Sequence, residues 1–264
     1  MSNGSPINIY TTEEIAIIRE GGALLHRILR TLAAETADGV STATLDERAH
    51  ALATELGGTP AFLNYKPQGA RKPFPGSVCI SVNEEVVHGI PNQNAKTLKN
   101  GDVVVLDMGL KYKDMFTDSA ITVVVGGDEH NPVGAKMIAA ANKALESAIN
   151  MVKPGVRTGS VGQVIESTVK ATGPFTVPLE LGGHGIGHSI HEDPFMPNFG
   201  KKGEGPMLRE GMVLAIEPIL TEKKPRIKLA SDGYTYVTAD GGLSVHVEHT
   251  IVVTSNGAEI LTIS

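Results

Sequence analysis

Apolar positions recur at helical spacing over residues 11–36, where Ile15, Ile18, Leu25, Ile28 and Leu32 fall on one face. Thr11 and Glu14 stand at its start in a capping-box pattern. A second helix is expected from Thr42 or Thr44, with Leu45, Ala49, Leu52 and Leu56 on one side and Gly57-Gly58 as its stop. A Pro/Gly-rich loop follows over 65–76. The period then changes: short strands are expected at about 77–82 and 86–89, and a hairpin over about 102–125 turns near Lys113. A long helical pattern returns at 132–152.

This order of elements repeats. Gly39-Val40-Ser41-Thr42, followed by Leu45, Ala49 and Gly57, recurs as Gly155-Val156-Arg157-Thr158, followed by Val161, Ile165 and Gly173. A long helix precedes each copy and strands follow it. The match is short and chance is its alternative explanation. A true duplication would give two α+β halves related by a pseudo-twofold, with a pocket between them.

Composition narrows the class without naming it. The 264 residues are 41% hydrophobic, enough for a buried core and too many for disorder. A net charge of −6 and the lack of any Lys/Arg run argue against a nucleic-acid surface. One cysteine excludes an internal disulfide framework and a Cys-based zinc site. The polar N-terminus reads as no signal peptide, and no apolar run approaches the roughly 18 residues of a membrane span. A protein of a reducing, cytoplasmic compartment is the expectation.

The chemistry lies in carboxylates set among apolar residues. Asp107 sits in Val103-Val104-Val105-Leu106-Asp107, Asp118 in Thr117-Asp118-Ser119, Glu217 in Val213-Leu214-Ala215-Ile216-Glu217-Pro218, and Glu248 in Val245-His246-Val247-Glu248-His249-Thr250. Buried carboxylates need a cation, and no Lys or Arg stands within these segments. With a turn near 112–113, Asp107 and Asp118 are expected directly opposite each other, with Cβ atoms about 4.5–5.5 Å apart. Solvated surface acids, or for Glu217 a cap or edge acid, are the plain alternatives. Residues 182–194 hold His184, His188 and His191, and the glycines flanking His184 suit close backbone approach. No G-x-G-x-x-G opening a helix and no Walker lysine supports a nucleotide loop.

Taken together, Val87-His88-Gly89-Ile90-Pro91, Leu106-Asp107, Thr117-Asp118-Ser119, Gly183-His184-Gly185-Ile186-Gly187, His191-Glu192-Asp193-Pro194, Ile216-Glu217-Pro218 and Val247-Glu248-His249-Thr250 resemble type I methionine aminopeptidases. The resemblance runs from about residue 12 to the C-terminus. It implies an α+β pita-bread fold, two pseudo-twofold-related halves around a central antiparallel sheet, in one catalytic domain over 1–264 with residues 1–10 as an N-terminal arm. It implies two divalent ions (Co, Mn, Fe or Zn): Asp107 on one, His184 and Glu217 on the other, Asp118 and Glu248 bridging. It further implies hydroxide attack on the scissile carbonyl, with Glu217 as general base, His191 at the carbonyl oxygen and His88 at the amide nitrogen. Substrates would be nascent polypeptide N-termini, met as a monomer with a transient ribosome contact, and neither nucleic acid nor membrane is a partner.

Tyr65, Cys79, Ile190 and Tyr234 are the expected first-residue pocket, Cys79 having the alternative of a small core hydrophobe. The loop 65–76 is longer than the family habit, Ile190 stands where Phe is common, Tyr234 where Trp is common, and the role of His188 is open. Prolidases and Xaa-Pro aminopeptidases share the ligand types, but usually carry a further His where this chain has Glu180. A non-catalytic relative of the same fold would have lost ligands.

Overall fold

A computed structural model describes residues 7–67 and 69–263. Residues 1–6 of the expected arm, Gln68 of the long loop and Ser264 lie outside the described residues.

Helix α1 (Thr12–Glu35) begins at the expected capping box: Thr11 Oγ1 accepts from Glu14 N, and Glu14 accepts from Thr11 N. Ile18, Leu25, Ile28 and Leu32 are buried along it. Helix α2 (Thr42–Glu55) is capped by Ser41. Strands β1 (Thr59–Pro60), β2 (Cys79–Val82) and β3 (Glu85–Val87) follow. β3 stops short of the expected residue 89 because His88 takes φ +59°, outside strand geometry. The hairpin is β4 (Val103–Tyr112) and β5 (Met115–Val124).

The hairpin corrects one expectation. Lys113 and Asp114 both have positive φ, so they form a two-residue turn centred one residue later than the sequence suggested. Asp107 therefore pairs with Ala120, and Asp118 with Gly109. The two carboxylates are diagonal neighbours on one face, not direct opposites.

The second half comprises α3 (Pro132–Met151), α4 (Thr158–Thr172), β6 (Gly182–Gly185), β7 (Glu192–Pro197), β8 (Val213–Ile216) and β9 (Ile219–Thr221). It ends with β10 (Ile227–Leu229), β11 (Tyr236–Thr238), β12 (Ser244–His246), β13 (Glu248–Val253) and β14 (Ala258–Ile260). A nine-stranded antiparallel sheet runs β1-β4-β5-β13-β8-β6-β7, with β2 on β4 and β14 on β13.

Along β4 side chains alternate: Val104, Leu106, Met108 and Leu110 pack against Leu25, Leu32, Leu45 and Ala49 of the first helix pair. Asp107 thereby faces away from the helices. In the second half Leu214 and Ile216 pack against Ala141, Leu145, Val161 and Ile165 of α3 and α4, and Glu217 follows them.

The duplication is visible in the backbone. Gly39 N donates to Leu98 O and Gly155 N to Leu208 O; Thr42 N donates to Lys96 O and Thr158 N to Pro206 O. Gly101 N donates to Val125 O and Gly211 N to Val253 O. The repeat thus extends beyond the stretch first noticed, so that Leu98-Lys99-Asn100-Gly101 leading to Asp107 matches Leu208-Arg209-Glu210-Gly211 leading to Glu217. The halves meet where β13 pairs β5, at Glu248 with Ala120 and His249 with Ser119.

Candidate metal centre

Each acid is delivered by strand geometry and fixed by a neighbour. Thr250 Oγ1 accepts from Asp118 N at 3.0 Å and donates to Asp118 O at 2.7 Å, clamping β5 to β13 across the seam. Ser119 Oγ donates to the Glu248 carbonyl at 2.7 Å. Asn198 Nδ2 donates to the Glu217 carbonyl at 2.8 Å, just past the end of β8. His184 sits in β6 opposite Ala215, and the glycines beside it are obligatory for this pairing. A Cβ on Gly183 would lie 2.1 Å from Ala215 O, and one on Gly185 2.2 Å from Asp193 O. The close approach expected around His184 is therefore present.

Asp107, Asp118, His184, Glu217 and Glu248 all line one cavity of about 170 Å³, together with His88 and His191. Asp118, His184 and Glu248 offer ligand atoms within 4.8 Å of one another. His184 Nε2 lies 3.8 Å from Glu217 Oε1 and 4.0 Å from Asp118 Oδ2. Its Nδ1 donates to Gly185 O at 2.9 Å, which leaves Nε2 unprotonated and able to ligate. Asp118 Oδ1 and Glu248 Oε1 are buried with no hydrogen-bond partner. Carboxylate oxygens without donors, beside a free imidazole nitrogen and with no Lys or Arg among the described lining residues, fit a divalent cation.

The apolar end of the cavity is formed by Phe62, Tyr65, Phe74, Cys79, Val87 and Tyr234, with Pro67 at the loop. Tyr234 Oη donates to Lys72 O, tying the strand side to the long loop. Ile190, expected here, is buried in the same apolar cluster but is not among the described residues that line the cavity. It packs beneath, close enough to Gly109 that a Cβ there would meet its Cδ1 at 2.7 Å. His191 stands at the mouth with Nδ1 3.1 Å from Tyr65 Oη and its ring edge-on to His184. Glu180 is exposed.

Residues 16–255 match the model of metallopeptidase family M24. A methionine aminopeptidase of Aquifex aeolicus is 40% identical over 97% of this chain and 98% of its own length. The chain belongs to the methionine aminopeptidases of this family. Methionine aminopeptidase 1 of Mycobacterium tuberculosis is 38% identical over 95% of the chain and 92% of its own length. The methionine aminopeptidase structure from Thermotoga maritima superposes with a TM-score of 0.92 at 38% identity, covering 98% of this chain and all of that one. A prolidase from Pyrococcus furiosus shares the pita-bread fold at TM-score 0.75 and 24% identity, with this chain spanning 65% of its length. The chain is a metallo-exopeptidase, a hydrolase using divalent metal.

The buried carboxylates of this methionine aminopeptidase site compete for charge. Burial pushes Asp107 up to about 7. Burial, then the neighbouring Asp107 and Glu217, holds Asp118 well above the carboxylate range, and burial with Asp118 does the same to Glu248. Glu217 is the exception: burial opposes its charge, but the nearby His246 imidazole holds its pKa below the usual value. His88 and His191 are both depressed, first by burial, so each is neutral near pH 7. Burial, then Asp107, pushes the Cys79 thiol up, leaving a small apolar wall.

Five of the described lining residues escaped the sequence reading: Phe62, Pro67, Phe74, Val87 and His246. Phe62 and Phe74 bracket the long loop and look like ordinary core residues in sequence. His246 was visible only as the residue sharing a face with Glu248, and here it is buried with Nε2 3.3 Å from Glu217 Oε2 and 3.7 Å from Glu248 Oε2.

Proposed function

We propose that the chain removes the initiator methionine from nascent proteins and peptides by hydrolysis, with Asp107, Asp118, His184, Glu217 and Glu248 holding two divalent ions. Co, Mn, Fe and Zn all suit this donor set. Bound cations would acidify a water and polarise the scissile carbonyl. The observation that carries the reading is the convergence of five ligand-type side chains, two of them with orphaned buried oxygens, on one cavity.

The chain's own groups divide the remaining work. Glu217, kept ionised, takes the water proton and passes it towards the leaving amine. Tyr65 Oη donates to His191 Nδ1, which fixes the proton on Nε2 and offers it to the carbonyl oxygen. His88, held in its unusual backbone conformation, meets the amide nitrogen. The substrate's free α-amino group, in its neutral form, would reach a bound ion, so chain termini bind and internal peptides do not. Phe62, Phe74, Cys79 and Tyr234 accept the thioether side chain, with sulfur against aromatic rings. The proposal places the enzyme in the cytoplasm, as a monomer in transient contact with the ribosome. Among the described residues no helix is long and apolar enough to cross a membrane.

The test is to strip the protein with a chelator and reconstitute it with Mn(II), Fe(II), Co(II) or Zn(II). Met-Ala-Ser should then be cleaved, and Xaa-Pro peptides not. Cleavage of Xaa-Pro peptides alone would overturn the reading.

A further inference from the structure

His246 is 2% exposed, yet neither ring nitrogen completes a hydrogen bond within the protein. Such a residue normally finds a partner, because an orphaned buried donor is costly. Thr122 Oγ1 donates to His246 O at 2.5 Å and accepts from His246 N at 3.2 Å, which pins the backbone.

The duplication says what this position is. Leu106 pairs with Ile121 in the first half, and Ile216 with His249 in the second. Three residues further along the chain in each half, Gly109 pairs with Asp118, and Ile219, now in β9, pairs with His246 of β12. His246 is thus the internal counterpart of Asp118. The first half places a carboxylate at this point of the site and the second half an imidazole.

The two oxygens of Glu217 face different rings. Oε1 lies 3.8 Å from His184 Nε2, while Oε2 lies 3.3 Å from His246 Nε2. The next acceptor for His246 is Glu248 Oε2, at 3.7 Å. We propose that His246 is a positioning residue of the metal centre: its Nε2–H holds Oε2 of Glu217 and so presents Oε1 beside His184. A small rotation of the Glu217 carboxylate completes the bond. This rests on the reading of Glu217 as a ligand, and it goes beyond that reading by assigning a sixth residue that acts through Glu217.

Three variants separate the roles. His246→Gln keeps an N–H near the position of Nε2, His246→Asn carries the same amide too short to reach Glu217, and His246→Leu removes the donor at similar bulk. Calorimetric titration of the chelator-stripped proteins with Co(II) and Mn(II) should show affinity weakened about 10- to 100-fold in the Leu and Asn variants, at unchanged stoichiometry. The Gln variant should bind within a few-fold of the parent. The visible spectrum of the Co(II) form should follow the same ranking, and kcat should fall more than KM rises. If the Leu variant fails to fold, the Gln/Asn comparison still decides. Parental affinity in both Asn and Leu, or equal affinity in Gln and Asn, would overturn the assignment. Loss of one equivalent of metal in all three variants would make His246 a ligand and overturn it too. A parent protein that binds neither ion would instead sink the metal centre itself.

Discussion

Tyr10 donates its phenol hydrogen to Oε2 of Glu192 over 2.6 Å, joining the segment before α1 to the loop that carries His191. Asn8 Nδ2 reaches the same oxygen at 2.8 Å, and Ser189 N reaches Oε1 at 2.8 Å. The phenol oxygen also accepts from His188 N at 3.1 Å, and His188 Nε2 meets Glu14 Oε1 at 2.8 Å. His188, whose part was open from sequence, is an anchor of this loop. Tyr10→Phe removes a hydrogen bond to a carboxylate, which costs about 1.5–3 kcal/mol. The melting temperature should drop by roughly 3–10 °C. Turnover should fall while metal affinity holds, which titration and steady-state kinetics on the same sample will check.

Removing a ligand should separate chemistry from folding. Glu217→Ala and His184→Ala are each expected to abolish cleavage of Met-Ala-Ser, with the fold largely intact by circular dichroism. Near-parental rates from either variant in a metal-dependent assay would show that the site lies elsewhere.

The metal-free centre should make stability fall with rising pH. Asp107 has its native pKa raised to about 7, above the ordinary aspartate value of 3.8, so between these values the folded form holds a proton that the unfolded chain has lost. Unfolding free energy therefore decreases as pH rises across this window, then levels off above it. Asp118 and Glu248, shifted in the same direction, steepen the trend, and they outweigh the depressed His88, His191 and His249, whose opposing contribution ends near the ordinary histidine value of 6.5. Chelator-stripped protein should melt several degrees lower, of order 5 °C, at pH 7.5 than at pH 5.5. Added cation should reverse that order, because binding displaces the protons. A stripped protein whose melting point rises between these pH values would contradict the buried, protonated cluster.

Gly183→Ala tests the backbone approach at His184. Its Cβ would meet Ala215 O at 2.1 Å, so β6 must part from β8. Loss of more than about 3 kcal/mol, or failure to fold, is expected. Gly57→Ala is the control: its Cβ meets nothing within 4 Å, so only the φ of +76° opposes it. Urea unfolding of both variants will rank them.

Tyr234→Phe cuts the tie between Tyr234 and Lys72 on the long loop, leaving the ring in the pocket. KM for Met-Ala-Ser should rise a few-fold with kcat nearly unchanged, since no group at the metal centre moves.

Much of this was legible because local and global signals agree. The Thr11–Glu14 box, the alternation along β4 and the apolar settings of Asp107 and Glu217 each follow from a single period or cap. The register of Asp107 against Asp118 was not legible. It depends on both Lys113 and Asp114 taking positive φ, and Lys-Asp does not announce such a turn as Asn-Gly would. His246 was missed for a different reason. Its role depends on which strand of the other half it meets, and His246 and Glu248 read alone look like the polar side of any strand. The signal that could have found it is the match of Leu98 to Asp107 with Leu208 to Glu217, which extends the repeat to the strands. Ile190 lies in the apolar cluster behind the cavity wall, and sequence order shows its proximity to His191 but not which wall a side chain backs.

The seam between β5 and β13 has a further consequence. Asp107 and Asp118 come from one half, His184, Glu217 and Glu248 from the other, and Ser119, Thr250 and Glu248 lace the boundary. On the proposed ligand set, neither half owns a complete set of donors. Hydrolytic competence is therefore a certificate of assembly: a chain still being made, or one whose halves have parted, lacks the means to cut. The same geometry makes metal occupancy a report on how well the two halves are joined.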